Sequence, residues 1–191
     1  TFIVDNDFEI YNDIKTNNLF IKNPEKCNDD IFKIYCHVMK MMHYKTDNIQ
    51  FGVSEMWLYP VEIRKLGWDD CDGWAKVLMA YYTIAGVPQF RLRDTCGLTW
   101  DNFGHDTVHV LADDLRTWIH TNSTTPYSMI NTGVLEGLPK TNDPSDRIGL
   151  KEIWFSNNRE FSWHTFETSS AEDSYKEYKA MKNIKIKPHN D

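Results

Sequence analysis

The sequence predicts an α+β fold in which a helix that begins at a cysteine packs on an antiparallel β-sheet. The sheet is predicted from two alternating segments, residues 107–111 and 117–121, which a short turn joins into a hairpin. The helix is predicted over residues 71–85, where apolar residues recur at helical spacing and form one face to bury. These apolar positions are Trp74, Val77, Leu78, Tyr81 and Ala85.

The limits of this helix are marked by its neighbours in sequence. Asp69 or Asp70 is a suitable N-cap, and Gly86 followed by Pro88 predicts the end of the helix. Cys71 therefore lies in the first turn. Unpaired backbone N–H groups and the helix dipole there favour the thiolate, which is the nucleophilic form of cysteine.

Other elements follow from periodicity and turn residues. Residues 1–30 are predicted to be a loosely packed lead-in, and residues 47–60 a loop followed by a short turn of structure. A helix is predicted from Asp29, capped by Asn28 or Asp29 itself, and a second one over 61–66 opened by Pro60. The remaining predictions are an edge strand at 89–93, a turn-rich connection at 95–103, a surface loop at 122–144, strands at 151–155 and 161–166, and a charged helix from residue 170.

Length and composition restrict the class of protein. The 191 residues are 41% hydrophobic and 26% charged, and predict a single domain over 1–191 with its core at about 30–125. A formal net charge of -7 argues against a nucleic-acid partner. No apolar run reaches the roughly 18 residues of a transmembrane span, so membrane insertion is not predicted.

The cysteines and the chain start give little information on compartment. The four cysteines form no C-x-x-C pair and are too sparse for a disulfide scaffold, and no histidines stand at zinc-ligand spacing near them. The opening residues have neither a basic start nor a long apolar centre, so no targeting segment is visible, although the first residue is Thr rather than Met. Localisation and oligomeric state are left open.

A base and an orienting group are predicted on the hairpin. His105 starts the first strand, and His109 lies on the same side because side chains alternate with a period of two. In an antiparallel hairpin the start of one strand faces the end of the other, so His105 and Asn122 are expected to meet. A thiol, an imidazole and a carboxamide are the three groups of Cys-His-Asn catalysis.

Two runs carry a resemblance to a known family: SEMWLYPVEIRKLGWDDCDGWAKVLMAYYTIAGVPQFRLR and GHDTVHVLADDLRTWIHTNST. Over about residues 45–125 they resemble the transglutaminase-like cysteine peptidase superfamily, and within it the bacterial transglutaminase-like cysteine proteinases. The resemblance rests on a W-x-x-P element, a cysteine helix start, a G-[IV]-P helix stop and a hairpin with the histidine. It implies a papain/transglutaminase-like fold with Cys71 as nucleophile, His105 as general base and Asn122 as orienting residue.

The resemblance also implies a reaction and a substrate class. The expected activity is a cysteine peptidase or amidase that forms a thioester with a protein or peptide substrate, and no cofactor is required. Protein crosslinking uses the same intermediate with an amine in place of water. A non-catalytic binding or structural module is the competing interpretation.

The chain departs from the family pattern at three places. Gly73 stands where a second acidic residue is usual, Asp106-Thr107 replaces a small-then-aromatic pair, and Asn122 replaces the commoner Asp. Asn orients an imidazole but stabilises an imidazolium less than a carboxylate does.

The acidic residues beside Cys71 have two interpretations. Some family members bind calcium through carboxylates that flank the nucleophile, which implies Asp70 and Asp72 as ligands of a hard cation. The alternative is that Asp70 caps the helix while Asp72 is solvated in its first turn.

The remaining candidates also carry alternatives. Trp68 and Trp57 are candidate oxyanion donors through the indole N–H, and the alternative is a packed tryptophan with no catalytic role. His109 is the alternative base if the strand register differs. Ordinary surface or packed histidines are expected at His43, His120 and His164.

Overall fold

A computed structural model describes residues 8–141, 149–160 and 162–163. Its centre is an antiparallel sheet of strand order β4-β3-β2-β1-β5-β6. The strands are β1 (Leu92–Thr99), β2 (Gly104–Leu111), β3 (Trp118–Thr121), β4 (Lys140–Thr141), β5 (Leu150–Asn157) and β6 (Ser162–Trp163). The helices are α1 (Phe8–Thr16), α2 (Asn28–Met41), α3 (Asp47–Phe51), α4 (Pro60–Leu66) and α5 (Cys71–Ala85).

Helix α5 is the element on which the core is built. It begins at Cys71 and ends before Gly86, whose φ of 98° is the left-handed conformation expected of a glycine cap. Its apolar face packs with Val108 and Val110 of β2 in one buried cluster. The predicted helix and its packing on an antiparallel sheet are therefore confirmed.

The N-terminal segment is more ordered than predicted. Ile10 and Ile14 of α1 are fully buried in the same core as α5, so from residue 8 onward the prediction of a loosely packed lead-in is wrong. Residues 1–7 lie outside the described part. Nine residues with only two buried apolar positions give a weak periodic signal, and tertiary packing supplies the stability that this short helix lacks.

Helix α2 is confirmed, but its cap is not the predicted one. Cys27 is the N-cap residue and makes no side-chain cap hydrogen bond. Instead, the Asp113 carboxylate accepts hydrogen bonds from the backbone N–H groups of Cys27 and Asn28, at 2.9 and 3.4 Å. A cap supplied from 85 residues away is invisible to local patterns.

The region after α5 differs most from the prediction. Residues 89–91 form a 3-10 helix, Gln89–Arg91, and not part of an edge strand. Residues 95–99 belong to β1, a central strand between β2 and β5, and not to a turn-rich connection. Since β1 carries buried polar groups at Arg93, Asp94 and Thr95, it lacks the apolar alternation on which strand prediction depends.

Several other predictions concern loops and strands. The hairpin of β2 and β3 is confirmed, as is α4 with Pro60 at its first position. The predicted loop at 47–60 contains α3 at its start. Strand β5 confirms the strand predicted at 151–155, and β6 confirms part of the strand predicted at 161–166. The remainder of that second strand, His164 and the helix predicted from residue 170 lie outside the described residues.

Among the described helices, each is too short or too polar to cross a bilayer.

Candidate active site

The backbone before α5 is fixed to a neighbouring loop. The backbone N–H of Asp69 donates to the His43 carbonyl at 3.2 Å, and the N–H of Lys45 donates to the Asp69 carbonyl at 3.0 Å. The Trp74 indole N–H also donates to the His43 carbonyl, at 3.3 Å. These bonds set the position at which α5, and with it Cys71, begins.

Cys71 is partly buried, and its thiol lies beside β2. Burial raises the pKa of Cys71 to about 12, and the carboxylates of Asp70 and Asp106 add to the rise. The backbone N–H of Asp106 acts in the opposite direction, because it donates a hydrogen bond to the sulfur. The sulfur therefore lies against the residue that follows His105, and in this environment it is held as the thiol.

His105 and Asn122 meet as the hairpin register predicts. The His105 Nε2 and the Asn122 Oδ1 are 3.2 Å apart, where β2 begins and β3 has just ended. Burial lowers the pKa of His105, and the hydrogen bond to Asn122 opposes that effect only in part. A neutral imidazole with one nitrogen engaged leaves Nδ1 as the nitrogen available to take a proton.

The nucleophile helix and the base strand are joined through a third residue. The Ser123 hydroxyl lies 3.3 Å from the Cys71 carbonyl and 3.1 Å from the Asp106 carbonyl. In the described residues no hydrogen bond joins the Cys71 sulfur directly to the His105 ring. The catalytic roles of Cys71, His105 and Asn122 stay predictions.

His109 has a different environment from His105. It is buried, its Nδ1 lies 3.1 Å from the Thr95 hydroxyl, and its ring stacks on His120 with centroids 5.0 Å apart. His120 is the residue opposite it in the ladder. The register thus brings His105, and not the alternative base His109, to Asn122. His43 is exposed, as expected of an ordinary surface histidine.

The two candidate oxyanion tryptophans lie near the first turns of α5. Trp57 is 64% exposed, and the Lys76 ammonium stands 4.0 Å from its ring centroid. Trp68 is 42% exposed, with the Lys45 ammonium 5.0 Å from its ring. Both rings engage a cation through the face, which is a cation–π contact. Their role as oxyanion donors stays a prediction.

Three carboxylates converge on the N-terminal side of Cys71. One oxygen from each of Asp47, Asp69 and Asp70 lies within 4.8 Å of the others. Asp47 and Asp69 are each 1% exposed. Each of these two commits one oxygen to a backbone N–H, that of Met56 for Asp47 and that of Asp70, at 3.0 Å, for Asp69.

The other oxygens of this carboxylate cluster have no partner. Asp47 Oδ1, Asp69 Oδ2 and Asp70 Oδ1 are buried without a hydrogen bond to any described residue. Burial and neighbouring carboxylates raise the pKa of Asp69 to about 6 and that of Asp70 to about 8. Asp70, Asp69 and Asp47 therefore form an uncompensated acidic site, which is the donor set that a hard cation takes.

Asp72 has a partner of its own. Its carboxylate pairs with the Lys76 ammonium one turn along α5 and also hydrogen-bonds Asp70. Asp70 is the N-cap residue but makes no side-chain cap hydrogen bond. The N-cap position predicted for Asp70 is therefore confirmed, whereas a cap made by its side chain and the solvation of Asp72 are wrong.

A second pair of carboxyl groups lies on the other side of Cys71. Asp94 and Asp106 are each 9% exposed and share a hydrogen bond. Burial raises the pKa of both, that of Asp94 to about 6, so the pair retains a proton more readily than free carboxylates do. Asp106, a departure from the family pattern, is thus paired within the protein.

Sequence reasoning did not identify Asp47 or Asp94 as residues near the site. It considered Asp69 only as a helix cap and not as a member of the carboxylate cluster. Asp47 is the first residue of a five-residue helix that the pattern did not indicate, and Asp69 was interpreted as a cap. Asp94 lies in β1, at a position between the edge strand predicted at 89–93 and the connection predicted at 95–103. The signal available in the sequence was the pair of adjacent aspartates, Asp69 and Asp70, directly before the cysteine.

Comparison with known proteins gives a fold and no family. No family model matches the chain, and no curated protein matches it. Among solved structures, LapG of Legionella pneumophila in a calcium-bound form is 21% identical, with a TM-score of 0.56, over 85% of this chain and 76% of that one. A second LapG structure is 19% identical over 91% and 93%, with a TM-score of 0.55. An EGTA-treated form is 19% identical over 84% and 86%, with a TM-score of 0.56. The predicted papain/transglutaminase-like fold is confirmed.

Proposed function

We propose that this chain is a cysteine peptidase or amidase that cleaves peptide or side-chain amide bonds through a thioester. The observation that carries the proposal is the 3.2 Å contact between His105 Nε2 and Asn122 Oδ1, next to the helix that starts at Cys71. The fold shared with LapG and the motifs of transglutaminase-like cysteine peptidases support the same function. The substrate class is a protein or peptide.

The reaction begins with a neutral pair. His105 Nδ1 accepts the thiol proton as the Cys71 sulfur attacks the amide carbonyl, and the carbonyl oxygen becomes an oxyanion. The tetrahedral intermediate then loses the amine, which takes the proton from the imidazolium, and a thioester remains. Water, deprotonated by His105, attacks the thioester and releases the acid with the thiol restored.

Asn122 supports this sequence by fixing the ring. Because its carboxamide oxygen holds Nε2, the imidazole keeps Nδ1 toward the reacting atoms in both the neutral and the protonated form. The Cys71 backbone N–H, at the first position of α5, has no intrahelical partner and is one oxyanion donor. Trp68 and Trp57 are candidates for the second.

The residues near Cys71 fit a calcium ion. The orphaned oxygens of Asp47, Asp69 and Asp70 would hold it, which replaces Asp72 of the motif-based pair with two better-placed carboxylates. The chemistry that calcium supplies there is positive charge beside the start of α5, where carboxylates otherwise oppose a thiolate. LapG has been solved in calcium-bound and EGTA-treated forms.

One observation favours a second candidate, a binding or structural module without turnover. The pKa of Cys71 is raised to about 12, far from that of an activated thiol. Cys96 is a matched reference, because burial also raises its pKa to about 12.

Alkylation by iodoacetamide at pH 7.5, followed by mass spectrometry of the Cys71 and Cys96 peptides, separates the two candidates. The peptidase predicts that Cys71 reacts faster than Cys96 and that His105→Ala removes the difference. The exposed His43→Ala is the control and should keep it. Equal rates for Cys71 and Cys96, with and without calcium, would support the module.

A further inference from the structure

We propose that Thr124 and Ser123 are positioning residues, which set the tautomer of His105 and the placement of Cys71 against it. This inference rests on the proposed function. Both residues follow Asn122 directly at the end of β3 and make hydrogen bonds to the groups on either side of the reacting pair.

Thr124 fixes which end of the Asn122 carboxamide faces His105. The Thr124 backbone N–H and hydroxyl each donate to Asn122 Oδ1 at 3.0 Å. A backbone N–H is always a donor, so the atom it meets must be the oxygen and not the NH2 group. The assignment of the carboxamide is thus dictated by a neighbour whose polarity is certain.

The orientation of the carboxamide decides the protonation of the imidazole. His105 Nε2 faces the same Oδ1 at 3.2 Å, and an acceptor there requires the hydrogen on Nε2. In the neutral ring the lone pair is then on Nδ1, the atom that takes the thiol proton. Thr124 acts through Asn122, without touching the reacting atoms.

The backbone of Asn122 is held as firmly as its side chain. The Tyr35 hydroxyl, from α2, donates to the Asn122 carbonyl at 2.9 Å, and Tyr35 is 1% exposed. Because the backbone is fixed, it cannot shift to follow a rotating side chain. Rotation of the carboxamide away from His105 would therefore break both hydrogen bonds from Thr124.

Ser123 connects the two elements that carry the reacting groups. Its fully buried hydroxyl has a single hydrogen, shared between the Cys71 carbonyl on α5 at 3.3 Å and the Asp106 carbonyl on β2 at 3.1 Å. Each acceptor belongs to a reacting residue or to its immediate neighbour. Without this hydroxyl, the Cys71 and Asp106 carbonyls both lose a hydrogen-bond donor, and α5 can shift against β2.

The first experiment reads the tautomer directly. Long-range 1H–15N NMR at pH 8 reports which ring nitrogen carries the proton, and the His105 signals are those that His105→Gln removes. We expect the proton on Nε2 in the wild type and a rise in the Nδ1-protonated form in Thr124→Val. Thr132→Val, whose hydroxyl donates to the Val134 carbonyl, is the control. Wild-type protonation at Nδ1, or an unchanged spectrum in Thr124→Val, would overturn the role of Thr124.

The second experiment measures the alkylation rate of Cys71 by iodoacetamide in Ser123→Ala. We expect it to fall about tenfold to a hundredfold, the effect of a sub-ångström to 1 Å displacement of a reacting group. Ser156→Ala is the matched control: Ser156 is fully buried, and its hydroxyl has no hydrogen-bond partner among the described residues. Its Cys71 rate should equal that of the wild type.

The outcomes separate this inference from the proposed function. Wild-type Cys71 faster than Cys96, with Ser123→Ala as fast as the wild type, would overturn the role of Ser123 and leave the peptidase standing. Wild-type Cys71 no faster than Cys96 would overturn the peptidase and the role of Ser123 together. The NMR spectrum would still decide the role of Thr124.

Discussion

Gly73 lies so close to Asp69 that a β-carbon at position 73 would stand 2.1 Å from Asp69 Oδ2 and 2.9 Å from Asp69 Cβ. No side chain fits there without moving the Asp69 carboxylate. This contact accounts for the glycine in the first turn of α5, where the family pattern has an acidic residue. It also links the helix to the cluster of Asp47, Asp69 and Asp70.

We expect Gly73→Ala to reduce the rise in melting temperature that calcium produces. Alanine in a helix interior is ordinarily favoured over glycine by about 0.5–1 kcal/mol, so a lower calcium response would come from the displaced carboxylate and not from the helix. The measurement is thermal unfolding with calcium and with EGTA. Gly133→Ala, where a β-carbon meets no atom within 4 Å, is the control. An unchanged calcium response in Gly73→Ala would contradict the assignment of Asp69.

Asp47→Asn should weaken calcium binding on the order of tenfold, since it replaces one of the three carboxylates of the cluster by a neutral carboxamide and retains one oxygen. Titration calorimetry measures this. The exposed Asp101→Asn removes the same charge from a remote turn and should bind as the wild type does. Equal loss in both variants would indicate a general effect of net charge and would count against a site at Asp47.

Asn122→Asp should retain or increase the reactivity of Cys71, and Asn122→Ala should reduce it. A carboxylate keeps an acceptor for His105 Nε2 and stabilises the imidazolium more than a carboxamide does, so alkylation should be as fast as in the wild type or faster. The Ala variant loses the acceptor and should be slower by about tenfold or more. The iodoacetamide rate is the readout, with Cys96 as internal reference. Two variants of equal rate would show that Asn122 does not act on His105.

The parts of the fold that were predictable are those with one apolar face. Helix α5 and the β2–β3 hairpin bury apolar side chains at their characteristic periods, and the antiparallel register then placed His105 opposite Asn122. The site contact followed from pairing rules alone. The catalytic roles of Cys71, His105 and Asn122 stay predictions from residue types.

The parts that were not predictable depend on contacts between distant segments. Strand β1 is central yet polar, because Asp94 pairs with Asp106 across the ladder and Arg93 packs on the Trp118 ring, at 5.1 Å. The α2 cap comes from Asp113, and the carboxylate cluster needs Asp47 from 22 residues before Asp69. Local periodicity carries no information on such partners.

The stability of the wild type should fall below pH 6.5 through His120. Burial lowers the pKa of His120 to about 4 from 6.5, so between these values the unfolded chain binds a proton that the folded chain does not. Stability from this residue is therefore fully present above pH 6.5 and is lost as the pH falls toward 4, by at most about 3 kcal/mol. Urea unfolding at pH 7 and pH 4.5 measures it. In His120→Gln, the loss of stability between pH 7 and pH 4.5 should be smaller than in the wild type. The glutamine keeps a polar neighbour for the Thr107 hydroxyl, which lies 2.7 Å from His120 Nε2 in the wild type. His43 is exposed, so the control variant His43→Gln should lose as much stability in acid as the wild type does. If His120→Gln is as sensitive to acid as His43→Gln, the loss of stability comes from groups other than His120.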